Sequence, residues 1–298
     1  MLVFLFTKEY LNMVNRTHKQ GDRLHLYSTI KTTKGATRSV LIDLEREDFT
    51  LIPNDLIDFL EKYNGQLITY IYQELGDDVA NEYLSFLHDR DVIFYNELTK
   101  EHFPPISEDW DAYSTITNTV IDVYHDDDLN SLYKVIQHLK DFNCQHIELR
   151  FFYTKKPNEI QKTLEIFNDS IIRSITLTLP FVDKIDQFEE LFKKYARLME
   201  VNLFEKNTDR SFTSTFPIFL IDSDNPCLAC GQIDVKGFAI NLEGYNESKK
   251  FNSCLNRKLS LNLHNGDIKN CSSMPESFGN LHTDNVSDII KTSNFQRL

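Results

Sequence analysis

Between residues 115 and 221, strand-like and helix-like segments alternate, and this rhythm limits the fold more than any other feature of the chain. "NTVIDVYH", "HIELRFF" and "IIRSITLTL" are rich in β-branched and apolar residues. Each is followed by 12 to 15 residues of helical period: "DLNSLYKVIQHLKDF", "NEIQKTLEIFND" and "DQFEELFKKYARL". "VNLFEK" and "FPIFLI" add two more strand-like stretches. Strands separated by single helices pair in parallel, because each helix returns the chain to the same end of the sheet. Only about four to five such units fit before residue 222, too few for a closed eightfold barrel. A partial (β/α) barrel over residues 115–221 is expected, within a multi-domain α/β chain.

The 298-residue chain has room for more than this. Residues 21 to 52 read as short strands and turns, with "RLHLYSTI" alternating and "SVLIDL" apolar. "IPNDLIDFLEKYNG" reads as a helix with Asn54 as its N-cap, and "ITYIYQEL" and "VANEYLSFLHDRD" repeat the helical period. Residues 1–100 therefore read as a winged-helix-like α+β domain. The polar stretch around Pro104-Pro105 marks a linker over 101–114.

From residue 222 onward the chemistry changes. Four of the five cysteines fall between 227 and 271. The fifth, Cys144, stands alone and reads as a small core residue. No apolar run approaches the ~20 residues that span a bilayer, and no signal sequence is evident. A cytoplasmic address is expected, where thiols stay reduced and clustered cysteines point to metal. Cys227 and Cys230 have C-x2-C spacing, while Cys254 and Cys271 bracket a hairpin turning at Asn265-Gly266. Four thiolates suit zinc or an iron–sulfur cluster equally. The net charge of −13 argues against a nucleic-acid groove.

The C-x11-G-x4-C spacing of Cys254, Gly266 and Cys271 resembles the opening motif of SPASM domains, which are auxiliary iron–sulfur modules of radical-SAM peptide-modifying enzymes. "CGQID", "NSCLNRKLSLN", "GDIKNCSSM" and "FGNL" resemble the SPASM-domain peptide maturase of grasp-with-spasm systems, and "LYSTIKTTKGATRSVLIDLEREDFTLIPNDL" is similar to its beginning. The resemblance runs from about residue 21 to the last residue. It implies a PqqD-like peptide-recognition domain over 1–100, a degenerate radical-SAM core over 115–221, and a truncated SPASM-like metal-binding domain over 222–298. It implies a 4Fe-4S cluster on Cys227, Cys230, Cys254 and Cys271, with zinc as the alternative and Cys227 either a substitute ligand or a bystander. The implied partners are a precursor peptide and an ATP-grasp ligase, with no nucleic acid and no membrane.

Two departures narrow what is carried over. No cysteine precedes Cys144, so the C-x3-C-x2-C loop of radical-SAM enzymes is missing, and no S-adenosylmethionine cluster is expected. The chain also stops at "NFQRL" without the later cysteines of SPASM domains, so one four-cysteine site at most is expected. The chain then reads as a maturase or accessory factor in ribosomal-peptide modification. A zinc-ribbon interaction protein and a metalloenzyme with non-radical chemistry are the alternatives.

A leader peptide would bind as an added strand. The expected edge is "SVLIDL", opposed by the helix "VANEYLSFLHDRD", with contacts at Val40, Ile42, Tyr83 and Phe86; each also reads as plain core. "YHDDD" (124–128) reads as an acidic turn at a helix start, with a metal or acid–base site as the alternative. Glu148 and Arg150 share one strand face and read as an ion pair or as lining for the mouth of the sheet.

Overall fold

A computed structural model describes residues 18–183, 185–206, 214–229 and 240–296. The chain divides into two compact units, Met1–Trp110 with Phe238–Asn246, and Asp111–Gly237 with Glu247–Leu298.

In the first unit, β1 (Arg23–Leu26) pairs antiparallel with β5 (Ile93–Asn96). Strands β2 (Ile30–Thr33), β3 (Ser39–Asp43) and β4 (Asp48–Ile52) form an antiparallel sheet in that order. Helices α1 (Asn54–Tyr63), α2 (Ile68–Leu75) and α3 (Asp77–His88) follow. Leu56, Ile57, Leu60 and Tyr63 recur at helical spacing on α1 and are all buried, so this stripe sets the face turned inward. Leu24, Ile52, Ile71, Leu84, Leu87 and Ile93 complete the core. Gly76 joins α2 to α3 at φ +78, a conformation that an L side chain adopts only under strain. Asn54 is not the N-cap, which is Pro53. The Asn54 carboxamide instead accepts from Ser39 Oγ at 2.5 Å and donates to the Gly35 carbonyl at 3.1 Å, tying the β2–β3 hairpin to α1.

The second unit is a mixed α/β structure around a large, mostly parallel sheet. Its strands are β6 (Asn118–Val123), β7 (His146–Phe151), β8 (Ser174–Pro180), β9 (Leu198–Glu205), β10 (Ile218–Asp222), β11 (Lys258–Asn262), β12 (Asp267–Lys269) and β13 (Gly279–Asn280). Their spatial order is β10-β9-β8-β7-β6-β11-β12-β13, and β6 to β11 are parallel neighbours. Helices α4 (Leu132–Asp141), α5 (Pro157–Glu165) and α6 (Asp186–Lys194) lie between consecutive strands. Among the described residues, α7 (Pro226–Ala229), α9 (Val286–Ile289) and α10 (Ser293–Gln296) are single turns, and α8 (Leu242–Lys250) begins in residues of the first unit.

Strands taken in sequential order, with right-handed crossovers, place every connecting helix on one face. The side chains agree. Ile121, Val123, Leu149, Phe151, Leu177, Leu179, Val201, Leu203 and Leu261 are buried with Val135, Leu139, Ile160 and Phe188 in one core. Burying each such aliphatic side chain contributes about 1.5–3 kcal/mol. Cys144 is in this core, its Sγ 3.4 Å from both Thr119 Oγ1 and the His146 carbonyl. The opposite face carries Asp122, Glu148, Arg150, Thr178, Asn202 and Ser260, the alternate residues of the same strands.

One expectation changes. Residues 258–280 were expected in a separate small domain, yet they supply β11, β12 and β13 of this same sheet. Leu259 and Leu261 complete the apolar face beside β6, and that burial favours the edge of the sheet over an isolated hairpin. The hairpin itself forms as its Asn-Gly signal predicts. Gly266 has φ +83, and a Cβ there would fall within the Asn280 carboxamide.

Candidate functional site

The first unit offers a strand edge. "SVLIDL" does not supply it: β3 is the middle strand, hydrogen-bonded to β2 on one side and to β4 on the other. No backbone groups remain there for an added strand. Val40 and Ile42 are half-buried on the face of the sheet opposite to buried Leu41, beside Leu51 and Phe49 of β4. Among the described residues β4 pairs with β3 alone, so its other side is an edge.

Two ties join the segments on either side of β4 in the chain to α3 and to the residues just after it. At one end, just past β4, the Tyr83 hydroxyl donates to Asp55 at 2.9 Å while its ring meets Phe59 edge-on at 5.0 Å. At the other end, Arg46 bonds Asp43 at 2.7 Å and reaches Asp91 at 3.5 Å. Phe86 lies beneath the Arg90 guanidinium, 3.8 Å from its ring. Leu51, on β4 itself, exposes 53% of its surface, which leaves apolar area at the edge.

The second unit offers the polar face of its sheet. Arg150 is its centre. Its Nε and Nη2 donate to the two oxygens of Glu148 at 2.8 and 3.0 Å, and its Nη1 donates to Ser272 Oγ at 2.9 Å and lies 3.6 Å from Cys227 Sγ. Thr178 orients Glu148 with a 2.7 Å bond. Burial alone would favour the neutral arginine, but the Glu148 bonds outweigh it and hold the guanidinium charged.

Asp122 is the register neighbour of Arg150 and is only 4% exposed, yet its Oδ1 has no hydrogen-bond partner among the described residues. Burial, reinforced by Glu148 and opposed by Arg150 and Lys269, pushes its pKa up to about 6. Burial, then Asp122, raises the Cys227 thiol, with Arg150 opposing. Just past the strand ends, Tyr124 and Phe152 stack at 4.3 Å, nearly parallel. Burial and the charges of Asp122 and Cys227 push the Tyr124 hydroxyl up to about 12.

The predicted metal ligands are brought together only in part. Cys227, at the start of α7, is joined to the segment after Cys271, because Ser273 Oγ donates to its carbonyl at 2.7 Å. Cys254 is exposed in the loop before β11, its N–H held by Asn252 at 3.1 Å. The β11–β12 register pairs Ser260 with Lys269, which does not set Cys271 opposite Cys254. Cys230 lies outside the described residues. Among the described residues, no group of three or more His, Cys, Asp or Glu side chains is placed to hold a metal ion. The three candidate ligands that are described, Cys227, Cys254 and Cys271, therefore do not fit a four-thiolate centre by themselves.

The "YHDDD" turn is structural. Asp128 accepts the backbone N–H groups of Tyr124 and His125 at 3.0 and 2.9 Å. Asp126 accepts from Lys155 at 2.6 Å and from the Tyr153 hydroxyl at 2.7 Å. The spacing of Glu148 and Arg150 reveals their shared face, whereas Asp122 was missed. Its only signal is one carboxylate at an alternate position in the apolar strand "NTVIDV".

No protein-family model matches the sequence, and no curated protein matches it. Among solved structures, Streptococcus suis SuiB matches at 11% identity over 94% of this chain and 89% of that chain, with a TM-score of 0.34. SuiB bound to S-adenosylmethionine matches at 11% identity over 92% and 89%, TM-score 0.33. SuiB bound to its precursor peptide SuiA matches at 9% identity over 92% and 90%, TM-score 0.36. Similarity at this level does not extend that protein's properties to this chain. No helix among the described residues is long and apolar enough to cross a membrane.

Proposed function

We propose that this chain recognises a ribosomally made precursor peptide and serves as a maturase or accessory factor in its modification, beside an ATP-grasp ligase. The observation that carries the reading is the edge of β4, flanked in the chain by the Tyr83–Asp55 and Arg46–Asp91 ties. A leader added there as a fourth strand gains main-chain hydrogen bonds from β4. Its alternate side chains meet Leu51, Tyr83 and Phe86. The sequence resemblance from residue 21 onward supports the same assignment, with residues 1–100 as the recognition domain. The relocated edge changes the roles of two residues: Val40 and Ile42 support β4 from the sheet face, while Tyr83 and Phe86 remain contacts.

The test is fluorescence anisotropy with labelled leader segments of candidate ribosomal precursor peptides encoded in the same genome. The Tyr83→Ala, Phe86→Ala double variant is expected to weaken binding at least tenfold with unchanged circular dichroism. Methylating alternate backbone nitrogens of the leader is expected to abolish binding. Binding indifferent to both changes would exclude strand addition at β4.

A further inference from the structure

The polar face of the second unit contains a buried carboxylate, one oxygen of which has no hydrogen-bond partner among the described residues. Glu148 and Arg150 neutralise each other through two hydrogen bonds. Lys269 pairs with Asp267 at 3.3 Å. That leaves Asp122, which is 4% exposed, with an Oδ1 that accepts nothing from the described residues. A carboxylate buried without a partner is costly, and proteins keep such groups where a ligand or proton completes them. It also lies near the carboxyl ends of the parallel strands, where open α/β sheets bind ligands.

The surroundings narrow what completes it. An anion would meet two carboxylates, Asp122 and Glu148. A divalent metal lacks a third donor, since no His, Cys, Asp or Glu trio among the described residues is placed to hold one. The nearby guanidinium of Arg150 also repels a second full positive charge placed between it and Asp122. A single positive charge balances the group. Tyr124 and Phe152 stand two residues beyond Asp122 and Arg150, just past the strand ends, and their flat stack favours an organic cation over a hydrated inorganic one. We propose that this face binds the protonated primary amine of an organic ligand, with Asp122 as its counter-ion and the Tyr124–Phe152 stack as its wall.

The site stands apart from the peptide reading. Amine binding without leader binding, or the reverse, separates the two.

The probe is dansylcadaverine, a primary ammonium carrying a fluorophore, compared with its N-acetylated neutral form by anisotropy on the full chain. A charge-assisted hydrogen bond corresponds to roughly a tenfold or greater preference for the ammonium. Asp122→Asn is expected to bring the two probes within about twofold of each other while circular dichroism is unchanged, since one charged bond is lost. Tyr124→Leu is expected to weaken ammonium binding about two- to fivefold, the range of an exposed cation–π contact. If Asp122→Asn does not fold, competition on the unaltered protein decides: n-butylammonium should displace the probe and n-butanol should not. Equal affinity for both probes, no binding of either, a preference that survives Asp122→Asn, or equal competition by the alcohol overturns the proposal.

Discussion

Replacing Asp122 by asparagine should stabilise the protein by an amount that depends on pH. Burial is the main cause of its raised pKa, with Glu148 adding to the rise and Arg150 and Lys269 working against it. The shift runs from 3.8 to about 6. The folded protein therefore holds this proton more tightly than the unfolded chain does. Below the unfolded value both states are protonated, and the ionised form costs nothing. As pH rises from 3.8 towards 6 the unfolded state ionises first, so stability falls. Above 6 the full penalty is present, about 3 kcal/mol at ~1.4 kcal/mol per unit.

Asparagine keeps the shape and removes the charge. Its unsatisfied amide carries its own cost, of order 1 kcal/mol, but that cost does not change with pH. The informative quantity is the stability difference between Asp122→Asn and the parent as a function of pH. Linkage gives a rise of about 2 kcal/mol in that difference between pH 4.5 and 7.5. Urea denaturation followed by circular dichroism at both pH values measures it. A difference that stays flat within ~0.5 kcal/mol would refute the raised pKa of this buried carboxylate, since the surrounding titrations cancel in the comparison.

Two further outcomes test other parts of the structure. Gly266→Ala places a Cβ at φ +83 and displaces Asn280, which donates to the Asn265 carbonyl at 2.8 Å and accepts from His282 at 2.9 Å. The expected loss is about 2–4 kcal/mol, combining the left-handed penalty with two hydrogen bonds, and a loss under ~1 kcal/mol in urea denaturation contradicts it. Metal and sulfide analysis of anaerobically purified protein tests the cysteine centre: about four irons and four sulfides, lost in Cys254→Ala, are expected of the 4Fe-4S assignment. One zinc would assign a structural clamp, and no metal would remove the centre.

Much of the second unit was legible because local period suffices to mark alternating strands and helices. Its apolar face follows from every second residue of "NTVIDV", "HIELRF" and "SITLTL". Strand neighbours were less legible, because pairing is decided by distant segments. "SVLIDL" has the apolar character of a strand, but nothing in it shows that β4 turns back to cover its second side. "KLSLN" reads as half of a local hairpin, and its parallel pairing with β6 depends on residues far upstream. Cysteine spacing indicates which thiols are near in sequence and says little about their convergence in space. Asp122 was hidden because its importance lies in what fails to contact it.

The position of β6 has a consequence for synthesis. This strand opens the second unit, yet it is an interior strand whose second neighbour, β11, is 140 residues away in the chain, as the Thr117–Arg257 bond between their flanking residues shows. At about 5–20 residues per second, ribosomes take on the order of ten seconds to translate that interval. During that time one edge of β6 is unpaired, with its backbone groups open to any other nascent strand. The fold therefore closes around its first strand last. A chain halted before residue 258 would end its sheet at β6, with the apolar strand β6 as an adhesive edge, a target for chaperones and a seed for aggregation.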